Sequence, residues 1–192
     1  VKTSYSNLPV VQYRATLLPF DEAKKILLKL TDVCTARAVF GILYAEASKK
    51  NNSFVSAGNY NYAGVQTDSG KWGYDKPITG RFARVDSGKR LREFASFNNN
   101  TGFLDFMVNR IKAKQFNGCN SSDWTNTYIQ RWWSPSAKKQ YLPGTEKFNQ
   151  KKSIYLSAQK KFDAITITNQ KKISNIFWLI PAVLLVTYIL KK

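Results

Sequence analysis

The chain contains no histidine among its 192 residues. That absence removes Ser-His-Asp and Cys-His nucleophilic catalysis, along with the commonest zinc ligand. Cysteine is nearly as scarce: Cys34 and Cys119 stand far apart and form no CxxC pair. Two thiols and scattered carboxylates make a poor zinc site, so a metal-dependent peptidase or amidase is disfavoured. No metal and no cofactor is expected. The cysteines remain open to two readings, a disulfide formed outside a reducing cytosol or two buried thiols. Negative charge is also short, with 12 Asp and Glu against 30 Lys and Arg and a formal net charge of +18. Such a surface attracts polyanions: nucleic acid, anionic lipid or an acidic cell-wall polymer. The lysines come as dispersed pairs such as Lys24-Lys25, Lys138-Lys139 and Lys151-Lys152 rather than as one nucleic-acid motif. Nucleic acid is therefore expected to bind only nonspecifically. There is no internal repeat and no low-complexity domain, and Val1-Lys2-Thr3-Ser4 lacks the apolar region of a secretory signal.

What the chain does have is one long apolar run, ISNIFWLIPAVLLVTYIL, over 173–190. At about 1.5 Å rise per residue it nearly matches the hydrocarbon thickness of a bilayer. Lys171-Lys172 and Lys191-Lys192 bracket it, with Trp178 and Tyr188 near its ends, as snorkelling cations and interfacial aromatics are placed. The expectation is a C-terminal transmembrane anchor over 171–192 that contacts lipid through 173–190. Lysine pairs on both sides leave its orientation undetermined.

Before it, residues 1–20 read as an irregular N-terminal arm broken by Pro9 and Pro19. Asp21-Glu22 suit a helix N-terminus, and Ala23, Ile26, Leu27 and Leu30 follow at helical spacing. A longer helix is predicted from about Thr31 to Lys50. Residues 51–79 are rich in Gly, Asn, Ser and Tyr and read as loop, with short strands at 62–66 and 82–85. Helices are predicted at about 87–97, from Thr101 through Ile111, at 123–133 and at about 145–165, with Asp86-Ser87 taken as a cap. The fold expected is mainly α, a helical domain over 21–168 with a short strand-and-loop insertion, followed by the transmembrane helix.

The chemistry-bearing stretch is Ile42-Leu43-Tyr44-Ala45-Glu46-Ala47-Ser48, followed by Asn59-Tyr60-Asn61-Tyr62-Ala63-Gly64-Val65-Gln66-Thr67-Asp68. Glu46 sits near the end of an apolar helical pattern, where poor solvation raises a carboxyl pKa. A proton-donating acid beside a loop of Tyr, Gln and Asn is the equipment for cleaving a glycosidic bond. An inverting hydrolase needs a second carboxylate to activate water, and Asp68 and Asp75 are the candidates. A transglycosylase uses the substrate's own 6-hydroxyl and needs no second acid. The bland alternatives are a solvated helix-end glutamate at Glu46, a turn-forming Asp68, and aromatics that only pack the loop.

These residues resemble the lysozyme-like superfamily of peptidoglycan-cleaving enzymes, above all lytic transglycosylases and glucosaminidase-type hydrolases of bacteria and phages. Glu46-Ala47-Ser48 is similar to the segment carrying the catalytic glutamate, and Ala63-Gly64-Val65-Gln66 to the glycine- and glutamine-bearing motif after it. Asn59-Tyr60-Asn61-Tyr62-Ala63-Gly64-Val65 looks like the glucosaminidase pattern, and Ile154-Tyr155-Leu156-Ser157-Ala158 like a tyrosine-bearing C-terminal helix. Ala47 and Val65 depart from the transglycosylase motifs. The resemblance implies an α+β lysozyme-like domain over about 30–165 and an enzyme with one glutamate general acid, Glu46. It also implies that Tyr60, Tyr62, Gln66, Trp72 and Tyr155 bind the glycan. Peptidoglycan strands are then the expected partner, and other virion membrane or capsid proteins are further candidates. The pairing of a wall-lytic domain with an anchor suggests a virion membrane of a phage, opening the wall during genome entry, or a bacterial envelope. The rival expectation is a non-catalytic basic membrane protein of a virion that binds nucleic acid or anionic lipid.

Overall fold

The computed structural model describes residues 5–68, 74–86, 88–113 and 142–167. Within them lie four α-helices: α1 (Phe20–Leu30), α2 (Val33–Glu46), α3 (Asn100–Ala113) and α4 (Glu146–Ala164). Five strands accompany them: β1 (Leu17–Pro19), β2 (Ser48–Lys50), β3 (Ser53–Val55), β4 (Ile78–Val85) and β5 (Leu91–Phe97). The fold is therefore α+β, which corrects the mainly helical expectation. The expected transmembrane helix at 173–190 and the helix at 123–133 lie outside the described residues. Among the described residues no helix is long and apolar enough to cross a membrane.

The largest departure concerns the helix expected at about 87–97, where Leu91–Phe97 form the long strand β5. β5 pairs antiparallel with β4 from Ile78↔Phe97 to Val85↔Leu91, with a bulge between Ile78 and Gly80. The Asp86 carboxylate that looked like a helix cap closes this hairpin instead. It accepts from the Arg90 backbone N–H at 2.9 Å, while the Asp86 N–H donates to the Arg90 carbonyl at 2.8 Å. Asp side chains satisfy backbone donors in turns as readily as at helix starts, so the local signal is ambiguous and strand pairing decides.

The predicted helix over 31–50 is shorter than its apolar pattern. Asp32 caps α2 by accepting from the backbone N–H groups of Cys34 and Thr35 at 2.9 and 3.0 Å. These bonds hold the Asp32 carboxyl below its ordinary range, the Thr35 N–H contributing most. At the other end Ala47 turns to extended backbone, and Ser48–Lys50 leave as β2. Asn51 and Asn52, both with positive φ (48° and 55°), form the tight turn into β3, as two-residue hairpins require. β3 is the centre of a three-stranded antiparallel sheet ordered β1-β3-β2. Cys34, near the start of α2, is disulfide-bonded.

Residues 5–19 join the domain closely. Leu18 is fully buried, and residues 9–11 lie along β4 through a parallel bridge, Val10↔Arg81. Arg81 N–H donates to the Pro9 carbonyl at 3.0 Å and Val11 N–H to the Arg81 carbonyl at 2.9 Å. Gly80 permits this approach, because a Cβ there would stand 2.9 Å from the Val11 side chain and 3.1 Å from the Pro9 carbonyl.

The core is aromatic. Phe20, Phe40 and Phe54 cluster with centroid separations of 4.6–5.6 Å, and Phe162 of α4 joins Phe40 at 5.3 Å. On the other side Phe97 meets Phe103 and Phe106 of α3 at 5.1 and 5.3 Å. Lys24 fixes the end of α4, its ammonium donating to the carbonyls of Phe162 at 2.7 Å and Ile165 at 2.9 Å. A cation there satisfies the terminal carbonyls of the helix. Arg37 of α2 adds an ion pair to Asp163 at 2.8 Å. α4 is thus tied along α2, the helix that ends on Glu46.

Candidate functional site

The loop after β3 owes its shape to positive-φ residues and one buried amide. Gly58 (φ 149°), Asn59 (48°), Tyr60 (61°) and Gly64 (62°) all leave the common backbone regions. For a bulky tyrosine that conformation is rare and is held only by its surroundings. Asn61 supplies much of the hold. Its fully buried side chain accepts from the Val65 N–H and donates to the carbonyls of Val65 and Ala95, each at 2.9 Å. Asn59 N–H donates to the Arg14 carbonyl at 2.7 Å, and its side-chain amide to the Gln12 carbonyl at 3.0 Å. The two asparagines of the motif therefore shape the loop and pin it to β5 and to the N-terminal segment. Gln66 forms an isolated bridge with Phe94 rather than part of the strand expected at 62–66.

This loop, the end of α2 and the β4–β5 turn together line a cleft of about 580 Å³. Glu46, Ala47 and Ser48 come from the helix end, and Ser56, Ala57, Tyr62, Gly64 and Gln66 from the loop. Arg84, Asp86, Arg90 and Phe94 come from the hairpin, and Tyr13 from the N-terminal segment. Glu46 is the last residue of α2, and its side chain retains 20% of its exposure. Burial raises its carboxyl pKa. The Lys151 ammonium, 3.3 Å from Oε1, pulls the other way and is the smaller influence. Tyr155 lies beside it, completely buried, and its hydroxyl is pushed well above its ordinary pKa by burial and then by the Glu46 charge.

Asp86 sits in the opposite chemical situation. The Arg90 backbone N–H, then the Arg90 guanidinium and the Gly88 N–H, hold its carboxyl below the ordinary range. Two carboxyl groups whose surroundings shift their proton affinities in opposite directions thus line a single cleft.

The other sequence candidates are dispersed. Tyr62 lines the cleft, but its hydroxyl bonds Thr16 Oγ1 at 3.1 Å and Asn100 Oδ1 at 2.8 Å. Its ring packs on Phe103, and burial pushes its pKa up to about 12. Gln66 lines the cleft with its Oε1 taking a bond from Arg92. Asp68 is ion-paired to Arg92 at 3.0 Å and is not among the lining residues. Asp75 accepts from the Tyr5 hydroxyl at 2.7 Å and is also not among them. Tyr60 packs against the core, its backbone N–H on Thr16 Oγ1 at 3.1 Å. Trp72 lies outside the described residues.

Sequence reasoning missed Asp86, Arg84, Arg90 and Tyr13. Tyr13 is a half-exposed ring at 46%, set 6.0 Å from Phe82 with the Arg84 guanidinium 5.6 Å over its face. Arg84 also donates to the Ala57 carbonyl, tying the hairpin to the loop. Gly58 makes room for this arrangement, since a Cβ there would stand 2.7 Å from Phe82 and 2.8 Å from Tyr13. The only sequence signal for these residues was the Asp-Ser-Gly-Lys turn, which reads equally well as a helix start. No family model matches the chain, and no curated protein or solved structure matches it either. The chemistry of the cleft must be read from its own residues.

Proposed function

We propose that this domain hydrolyses the glycan strands of peptidoglycan, with Glu46 as general acid. The observation that carries the reading is the unequal pair of carboxyl groups in one cleft, Glu46 raised by burial and Asp86 lowered by hydrogen bonds. Environments that push two carboxyl pKa values apart divide the roles of acid and base between them. Glu46 gives its proton to the bridging oxygen as the glycosidic bond breaks and oxocarbenium character builds on the sugar. Asp86, ionised, faces that charge or takes a proton from the attacking water. It stands in the cleft where neither Asp68 nor Asp75 does, and its presence favours hydrolysis over an anhydro-forming reaction. The exposed Tyr13 ring offers a stacking face for a sugar, and Gln66 an amide.

Peptidoglycan is favoured as the glycan by the resemblance at Glu46 and Ala63–Gln66. The net charge of +18 suits a wall rich in anionic polymers, at a bacterial envelope or on a virion that opens it locally. The same charge favours the second reading, a non-catalytic protein that binds polyanions.

The test is release of soluble fragments from purified peptidoglycan by the full chain and by Glu46→Gln. Fragments with reducing ends from the parent and almost none from E46Q are expected. Equal release by both removes Glu46 as the acid, and anhydro-muropeptide products remove the role of Asp86. No release by either, with DNA retarded at physiological salt, establishes the binding reading.

A further inference from the structure

Helix α4 buries a stripe formed by Phe148, Tyr155, Ala158 and Phe162, spaced at the three- and four-residue intervals of one helix face. Lys151 falls on that stripe, between Phe148 and Tyr155, where the pattern calls for an apolar side chain. Its side chain is only 16% exposed. Desolvating an ammonium is costly unless it is hydrogen-bonded or paired, and Glu46 Oε1, 3.3 Å away, accepts from it. Placement of the pair is not left to a loose end of chain. Lys24 and Arg37 tie the far end of α4 to α1 and α2, and the seam between is packed by Phe40 and Phe162.

We propose that Lys151 is a positioning residue for Glu46, holding its carboxyl group at the cleft and receiving the carboxylate formed when the proton leaves. This rests on the reading of Glu46 as the general acid. In the proton-transfer step the Glu46 O–H bond breaks, the leaving oxygen gains the proton, and the negative charge left on Glu46 is met by the ammonium. Without that partner the charge would form in a poorly solvated place. Lys151 therefore trades some proton affinity at Glu46 for an easier loss of the proton in the transition state.

Among the described residues, the other charged and titratable groups near Glu46 are held by different partners. Tyr155 on α4 is neutral and completely buried. Lys49 on β2 is turned to the Tyr44 carbonyl at 2.8 Å and the Tyr44 ring at 4.7 Å. Asp86, Arg84 and Arg90 come from the hairpin, where Asp86 and Arg90 pair with each other at 3.2 Å.

The experiment compares the full-length parent with Lys151→Met, Lys151→Arg and Glu46→Gln. It reads kcat and KM on solubilised glycan strands across pH, melting temperature, and the carbon-13 titration of the Glu46 carboxyl, assigned by its absence in E46Q. K151M is expected to lower kcat by about tenfold while leaving KM within about twofold, as loss of an interaction made in the transition state does. Its alkaline limb should move to higher pH. At one unit above the parent midpoint it should keep about fivefold more of its own maximal rate, the consequence of removing a nearby opposite charge. K151R should restore the parental limb. The NMR titration of Glu46 should move up in K151M and return in K151R. A Glu46 titration and pH profile unchanged in a folded K151M overturn the proposal. If the parent itself releases nothing, the enzymatic reading fails separately, and an unmoved carboxyl titration still overturns the role of Lys151. Should K151M not fold, Lys151→Gln takes its place in the same measurements.

Discussion

The helix end that carries Glu46 and the hairpin turn that carries Asp86 treat the same functional group in opposite ways. At the end of α2 the surroundings are packed side chains, so the charged form loses its hydration and the carboxyl pKa rises. In the β4–β5 turn the surroundings are backbone N–H groups and a guanidinium, so the charged form is stabilised. Beside Glu46 desolvation outweighs the one ammonium that donates to it, whereas the tight turn aims backbone N–H groups and a guanidinium at Asp86. The two regions meet at the loop after β3, whose buried Asn61 joins it to β5. The contrast between the two carboxyl groups thus follows from what kind of element presents each.

The largest expected effect comes from removing the proposed proton donor. Glu46→Gln should lower kcat by about 10²–10⁴-fold, the usual contribution of a general acid, in a fragment-release assay with melting temperature as the folding control. Asp86→Asn keeps an oxygen for the Arg90 N–H and should cost about tenfold or more in rate. The two variants sharpen the contrast through their pH profiles. Raised in the folded protein, Glu46 loses its proton on the alkaline side and sets that limb. Lowered, Asp86 gains a proton only on the acid side and sets the other. D86N should therefore abolish the acid limb and leave the alkaline one, and a profile that loses its alkaline limb instead would reverse the assignment.

Next in size is the hinge between the regions. Asn61→Ala strips the buried Val65 N–H of its partner and should destabilise by about 3 kcal/mol, read as a shift in denaturant midpoint. Tyr13→Ala should raise KM by about fivefold with kcat little changed, as loss of a stacking platform does. The smallest effect is on the helical side alone. Asp32→Ala should cost about 1 kcal/mol through the lost cap. Because the folded pKa of Asp32 lies below its ordinary 3.8, that stabilisation is present above the ordinary value. It disappears as pH falls through the folded one, so parent and variant melting temperatures should converge in acid.

The helical side was largely legible in the sequence. The spacing of Ala23, Ile26, Leu27 and Leu30 foretold α1, Thr145 foretold the start of α4, and the apolar run before Glu46 foretold a poorly solvated carboxyl group. These signals are local, since a helix satisfies its own backbone and shows its buried face as a 3.6-residue period. The β side was not legible. Leu91–Phe97 carries no clean alternation because Phe94 through Phe97 are all buried, so its strand state depends on a partner far in space from any local cue. Asp86 was read as a helix cap for the same reason. Lys151 looked like one of several dispersed lysine pairs, although its place on the stripe of α4 was available to a period count.

By itself the sequence determined that no histidine is available for chemistry, that Glu46 ends an apolar helix, and that a glycine- and asparagine-rich loop follows it. Composition and short-range periodicity suffice for that. The tertiary structure alone decided which second carboxyl group shares the cleft. Asp86 is brought to the cleft that Glu46 lines by the pairing of β4 with β5 and by the tie from Arg84 to the loop, while Asp68 and Asp75 are engaged by Arg92 and Tyr5. It also decided that a lysine 105 residues further on lies against the acid. Such juxtapositions follow from long-range packing, which leaves no period and no motif along the chain.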